Sequence, residues 1–277
     1  MLYLFSIFVS FSVFLLILAG GLVTSHDAGL AVPDWPTSYG GWFPPMVGNV
    51  FWEHGHRMIA GFVGILTLTL VLLIQFCEKR TWLKRIAWAA LGMVILQALL
   101  GGLTVLNFLP APISITHAML AQTFFCVMIS ITYFLSPKFQ ETRIENDKDK
   151  NKRLKRLLLL TLIFIYLQLG LGAIVRHTGQ AVVFHMIVAF LIALHVLLIV
   201  LRVLRFSYEK FLERLSVGLG IITITQIFLG FGAFIFTRMM PQSYAPSLGQ
   251  VVFTAAHQTM GALVLAATFL MTVRVWR

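Results

Sequence analysis

Apolar residues run along this chain in eight stretches, at about 3–24, 53–77, 86–106, 113–135, 156–175, 181–204, 214–236 and 250–273, broken by short polar or Gly/Pro-rich segments. Each stretch is long enough for an α-helix to cross the hydrocarbon core of a bilayer, which takes about 20 residues. None alternates apolar and polar with period two, so helices are preferred to a transmembrane barrel. The fold class that follows is an all-α integral membrane protein with eight transmembrane helices. The first stretch lacks a basic leader region and a small-x-small cleavage site, and is read as a retained helix rather than a signal peptide.

Composition agrees: 59% of the 277 residues are hydrophobic and 11% charged, against about a quarter charged in soluble domains. The net charge of +11 would suit a nucleic-acid partner, but its placement does not. Eighteen of 21 Lys and Arg fall in 79–85, 138–156, 202–214 and 274–277, and only Arg57, Arg176 and Arg238 lie elsewhere. This is positive-inside asymmetry. It predicts cytoplasmic termini, and outer loops at 25–52, 107–112, 176–180 and 237–249. The partner is the lipid bilayer, and no nucleic acid. Cys77 and Cys126 fall in separate predicted helices at different depths and are read as unpaired, buried small hydrophobes.

One strongly polar stretch, containing ETRIENDKDKNKRLKR, marks a cytoplasmic linker at 138–155. It separates an N-terminal half, 1–137, from a C-terminal half, 156–277, of four helices each. The halves look alike. LQALLGGLTVL leads to His117, LQLGLGAIVRHTG to His185, TQIFLGFGAFIFTR to His257, and LILAGGLVTSHDAG, without a glutamine, to His56. The unit is an outward helix with a glycine cluster, an outer loop, then an inward helix with a histidine. Parallel repetition of this unit predicts two pseudo-symmetric four-helix bundles.

A histidine in a bilayer is costly and is a functional-site hypothesis by default. Four at one depth suggest two pairs of axial heme-iron ligands. Helices adjacent in sequence tend to be neighbours, which pairs His56 with His117 and His185 with His257. A four-histidine zinc or copper site is disfavoured because the histidines are spread evenly over both halves, with no HxxxH pair. Gly20, Gly21, Gly101, Gly102, Gly172, Gly230 and Gly232 would either let helices approach or leave room for a flat ligand. The residues four after each histidine, Ala60, Ala121, Ala189 and Gly261, are also small, and share the histidine's helix face.

Glu53 lies one turn outward of His56 on the same face, where it would anchor at the interface or act as a general base. Arg57 would pair with Glu53 or with a heme propionate. Arg176 and Arg238 are further candidates for propionates or headgroups, and His177 for a propionate or supporting contact. His26 and His54 are read as solvated or interfacial, and His195 as a packing or hydrogen-bonding residue. The first outer loop is too long for a plain connector. Its Pro, Gly, Trp and Tyr residues suit a fixed lid at the interface, so the two halves are not expected to be equivalent.

Together, GLAVPDWPTSYGGWFPP, EHGHRM at 53–58, ITHAMLAQ at 115–122, VRHTGQA at 175–181 with His185, and AAHQTMGA at 255–262 resemble heme A synthases of the CtaA/Cox15 family. The resemblance covers nearly the whole chain. It implies a heme-dependent oxidoreductase that converts the C8 methyl of heme O to the formyl group of heme A by successive hydroxylations, for use by terminal oxidases. It implies a heme b cofactor on His185 and His257, heme O between His56 and His117, and a required carboxylate at Glu53. Candidate partners are a heme O synthase and an unidentified electron acceptor. The implied location is the plasma membrane of a prokaryote, with the heme sites toward the outer face. Many bacterial relatives carry a cysteine pair in the first outer loop. Here Val32 and Ser38 flank PDWP and the loop has no cysteine, so no disulfide forms there. A di-heme b-type electron carrier and a heme-binding transporter or chaperone are the competing classes.

Overall fold

The computed structural model describes residues 1–137, 139, 148–206, 208–241 and 245–276. Eight helices are long and apolar enough to cross a membrane: α1 (Leu2–Ser25), α2 (Asn49–Cys77), α3 (Thr81–Leu106), α4 (Ala111–Leu135), α5 (Lys148–Thr178), α6 (Val182–Arg205), α7 (Lys210–Phe234) and α8 (Leu248–Trp276). This is a multi-pass membrane protein. Most of the predicted linker 138–155 lies outside the described residues, and the chain is helical again from Lys148.

The helices extend beyond the apolar stretches because hydropathy marks the lipid core, not the end of the hydrogen-bonded ladder. Three shifts matter for function. α2 begins at Asn49, so Glu53 sits in helix, and the first loop is 26–48. α5 carries Arg176 and His177 in its last turn rather than in a loop. α7 continues through a π-helical turn, Ile235–Met239, that holds Arg238.

The chain forms two compact units: Met1–Ser136 with Leu229–Thr259, and Pro137–Phe228 with Met260–Arg277. Their borders therefore cut α7 and α8 as well as the linker. In the first unit α1 packs on α2, α2 on α3, α3 on α4 and α4 on α1, closing a ring of four helices. Its core is a narrow stripe from each: Val9, Val13 and Ile17; Val63, Leu70 and Ile74; Leu83, Ala87 and Ala90; Phe124, Met128 and Ile131. These spacings of three, four and seven place each set on one helix face. Polar residues join the stripe, as where Ser10 meets the Thr132 hydroxyl at 2.8 Å. In the second unit α5 packs on α6, and Arg274 of α8 grips Glu209 with two bonds of 2.5 Å.

Three helix ends repeat one geometry. Asp27 (φ 52°), Phe108 (φ 59°) and Gly179 (φ 72°) are left-handed at the ends of α1, α3 and α5. At the first two, the following residue's N–H reaches back five residues: Ala28 to Val23 O, 2.9 Å, and Leu109 to Thr104 O, 2.7 Å. This closes the helix carbonyls in a Schellman pattern. Each left-handed residue falls seven after a glycine of the repeat: Gly20, Gly101 and Gly172. Those glycines are thus two turns, about 10 Å, below their helix ends. In α7 the residue seven after Gly230 is Thr237, inside the π-helical turn.

Candidate functional site

Each repeat glycine faces its histidine. A Cβ added at Gly20 would stand 3.2 Å from Cε1 of His56, and one at Gly101 3.4 Å from Cε1 of His117. At Gly172 the distance to His185 Cε1 is 3.1 Å, and at Gly230 the distance to His257 Cε1 is 2.9 Å. These glycines make room for imidazole edges. The other glycines read as room for a flat ligand are also filled by protein. A Cβ added at Gly21 would meet Gln258, one at Gly102 would stand 2.6 Å from the Trp35 ring, and one at Gly232 would stand 2.1 Å from the Phe253 ring. Below His257, a Cβ added at Gly261 would stand 3.3 Å from the Gln226 amide nitrogen.

Glutamines four residues before two of these glycines complete the seat. Gln97 Nε2 donates to the His117 carbonyl at 2.8 Å, and Gln168 Nε2 to the His185 carbonyl at 2.9 Å. Gln226 holds the matching place before Gly230, and Leu16 the one before Gly20.

His56 and His117 share the first unit, one on α2 and the other on α4. Both rings are partly exposed, whereas their Nδ1 atoms are fully buried without a hydrogen-bond partner. Nε2 is then the nitrogen each presents. His257 lies in the first unit and His185 in the second.

The long loop is fastened above His56. Glu53 is 4% exposed. Its Oε2 accepts the Val32 N–H at 2.8 Å, and its Oε1 is 2.5 Å from an Arg57 terminal nitrogen. Arg57 also donates to the carbonyls of Asp34 (2.7 Å), Thr37 (2.9 Å) and Val32 (3.3 Å). Both terminal nitrogens of Arg57 are therefore bonded to the lid and Glu53. The expected Arg57–Glu53 pair forms, and it is part of a clamp. Trp35 of the same loop lies on α3 at Gly102, where only a glycine admits it.

His54 corrects the interfacial reading. It is buried, with Nδ1 2.8 Å from the Ser38 hydroxyl. His26 stacks on Trp52 at 3.9 Å between ring centroids. His195 bonds Thr161 at 3.2 Å and meets Phe164 edge-on, a packing role as expected. Cys126 is buried, but Cys77 is exposed rather than buried; both are free thiols.

Asp34 organises the loop's turn. Its carboxylate accepts from the Thr37 hydroxyl (2.6 Å), Tyr39 N–H (2.6 Å) and Gly40 N–H (2.9 Å). These bonds, the Thr37 hydroxyl foremost, hold its pKa at about 2. A carboxyl depressed in the fold stabilises above its unfolded pKa, about 3.9, and loses that contribution as pH falls through the folded value. Acidification of the detergent-solubilised protein from about pH 4 to about 2 should therefore loosen the lid. Acrylamide quenching of the loop tryptophans should rise across that window, and Asp34→Asn should show the raised quenching already at neutral pH.

The residues fit heme iron in number and kind. Two imidazoles in one unit each present Nε2, which suits a bis-histidine heme. Among the described residues no group of three or more His, Cys, Asp or Glu is placed to hold a bare metal ion.

A family described as cytochrome oxidase assembly protein, COX15-CtaA, matches residues 46–184. This is half of the chain, and it includes Glu53, His56, His117 and the Gln97–Gly101 seat. The chain belongs to the COX15-CtaA family. The curated relatives it resembles are named heme A synthases. One from Exiguobacterium sibiricum is 35% identical over 35% of this chain and 34% of the relative. One from Roseobacter denitrificans is 38% identical over 44% of this chain and 35% of the relative. The Bos taurus heme A synthase COX15 is 31% identical over 38% of this chain and 28% of the relative. The matched part is thus about a third of each relative's length.

For this COX15-CtaA member, the sequence pointed to the four histidines and Glu53 but gave no role to the glutamines or to Ser38. The repeated Gln-x3-Gly spacing was a visible signal for the seat. Nothing local in sequence marks Ser38 or Trp35, whose partners lie 16 and 67 residues away.

Proposed function

We propose that this protein is a heme A synthase that oxidises the C8 methyl of heme O to a formyl group. The observation that carries this reading is the His56/His117 pair with Glu53 one turn above it, under a lid clamped by Arg57. In this reading the N-terminal half receives heme O between His56 and His117. The reading gives heme b to His185 and His257, which the sequence repeat and the family resemblance support. When bound, heme b supplies redox chemistry at its iron. Turning the methyl into a formyl group with water as the oxygen donor releases two electron pairs and four protons, so the reaction requires an electron acceptor, and the substrate requires a source, for which a heme O synthase is the candidate partner.

The chain's own groups then have distinct tasks. His56 and His117 hold the substrate's iron and so fix the position of its macrocycle. The lid excludes bulk water from the reacting edge. Glu53 takes up or releases the proton that accompanies oxidation, for which one carboxylate oxygen must leave Val32 N–H or Arg57. Arg57 steadies that carboxylate and the loop together. Arg176, Arg238 and His177, at the ends of α5 and α7, are assigned to propionates. Pigment extraction from the purified protein tests the reading. Heme b together with heme O or heme A supports a synthase, and heme b alone favours an electron carrier.

The charge asymmetry assigns both termini to the cytoplasm and the lid and heme sites to the outer face of a prokaryotic plasma membrane. A cysteine placed at Ser247 should be labelled by an impermeant thiol reagent in intact cells. One placed at Asn151 should be labelled only after lysis. The reverse pattern would invert the assignment.

A further inference from the structure

We propose that the Gln-x3-Gly seat positions the axial histidines, and that His56, which has the glycine but not the glutamine, is the ligand that yields. The inference rests on the heme reading above and deepens it, by naming the iron bond that opens when substrate enters and product leaves.

A ligating histidine generally has its ring fixed by a hydrogen bond from its second nitrogen. His56 and His117 lack that bond, since Nδ1 of each is buried with no partner. Their ring orientation comes from packing. The Cε1 edge of each imidazole lies against a glycine, at 3.2 and 3.4 Å from where a Cβ would stand. A methyl at that point would press on the ring edge, which would have to give by a few tenths of an ångström.

The second element of the seat ties helices together at the depth of the histidine. Gln97 and Gly101 are four apart, so they share one face of α3. The Gln97 amide crosses to the His117 carbonyl at 2.8 Å. Gln168 and Gly172 do the same from α5 to His185, at 2.9 Å. In α1 the matching residue is Leu16. An alkyl side chain donates nothing, so the His56 carbonyl lacks this tie to α1. The helix around His56 is held instead by its neighbours, Glu53 one turn outward on Val32 and Arg57 beside it on Asp34 and Thr37. His56 is thus fastened to a loop, whereas His117 and His185 are fastened to helices. A cofactor needs two firm ligands, and a substrate that departs as product needs one that releases. The missing amide falls on the half assigned to substrate.

Carbon monoxide competes for an axial position on ferrous heme and enters where the protein ligand lets go. The test is the CO-binding rate of the dithionite-reduced, full-length protein. The relevant phase is the one that disappears in His117→Ala. Leu16→Gln should slow that phase by about fivefold, the ratio one ordinary hydrogen bond is worth. Gln97→Leu loosens only the ligand that otherwise stays, so it should speed the phase by no more than about twofold, and Gln168→Leu should leave it unchanged. The low-spin spectrum before reduction reports whether each variant retains heme, and Gln97→Leu keeps the test available if Leu16→Gln does not fold. Unchanged rates in the folded variants, with the His117-dependent heme present, overturn this inference alone. If no bound heme responds to His117→Ala, the functional reading falls, and this one with it.

Discussion

Glu53→Gln protein should fold, retain heme b and make almost no heme A. Loss of a positioned acid–base group costs about two to four orders of magnitude in rate. The fold should survive because glutamine is nearly isosteric with glutamate and still offers an acceptor to the Val32 N–H. Arg57 also keeps its bonds to the carbonyls of Asp34, Thr37 and Val32. The carboxylate has a second task, however, since it anchors the lid. Arg57→Gln separates the two tasks: it loosens the loop and leaves the carboxylate in place. The expected order of heme A yield is wild type, then Arg57→Gln, then Glu53→Gln. Heme content and heme A output, measured on the same preparations, decide the matter. A normal heme A yield from Glu53→Gln would remove Glu53 from the mechanism.

On the proposed pairing, His185→Ala and His257→Ala should each lose most of the bound heme b, because each would leave the iron one axial ligand short. Each histidine is also seated on a glycine, Gly172 or Gly230. Truncation therefore opens a small void beside that glycine and destabilises the local packing as well, by about 1–3 kcal/mol. Optical spectra of the purified variants check the expectation. A His257→Ala protein with full heme b content and an unaltered low-spin spectrum would rule out His257 as a ligand.

The clamp on the first loop shows how a site can be half legible. Glu53 and Arg57 are four apart on a helix, so their pairing follows from helical geometry alone. The grip of Arg57 on Asp34, Thr37 and Val32 does not, because it depends on where a loop of more than twenty residues comes to rest. The glycines show the same division. Their recurrence before each histidine is plain in sequence, but their use was not. They seat imidazole edges, Trp35 and Phe253, and the reading as room for a flat ligand gives way to packing of protein on protein. His54 was misplaced for a related reason. Two residues from His56 on a helix, it turns to another face, and only the loop's Ser38 makes that face an interior one.

The sequence by itself determined the eight helices, the sites of their histidines and the membrane setting. A backbone in hydrocarbon must satisfy its own hydrogen bonds, so twenty apolar residues become helix whatever their neighbours are. Only the tertiary structure decided which face of each helix turns inward. These helices are apolar on nearly every side, and lipid competes with protein for such surfaces on almost equal terms. Rotation about each axis is therefore settled by the few contacts that lipid cannot supply. These include an imidazole edge on a glycine, an amide on a histidine carbonyl, and a guanidinium closed over three loop carbonyls.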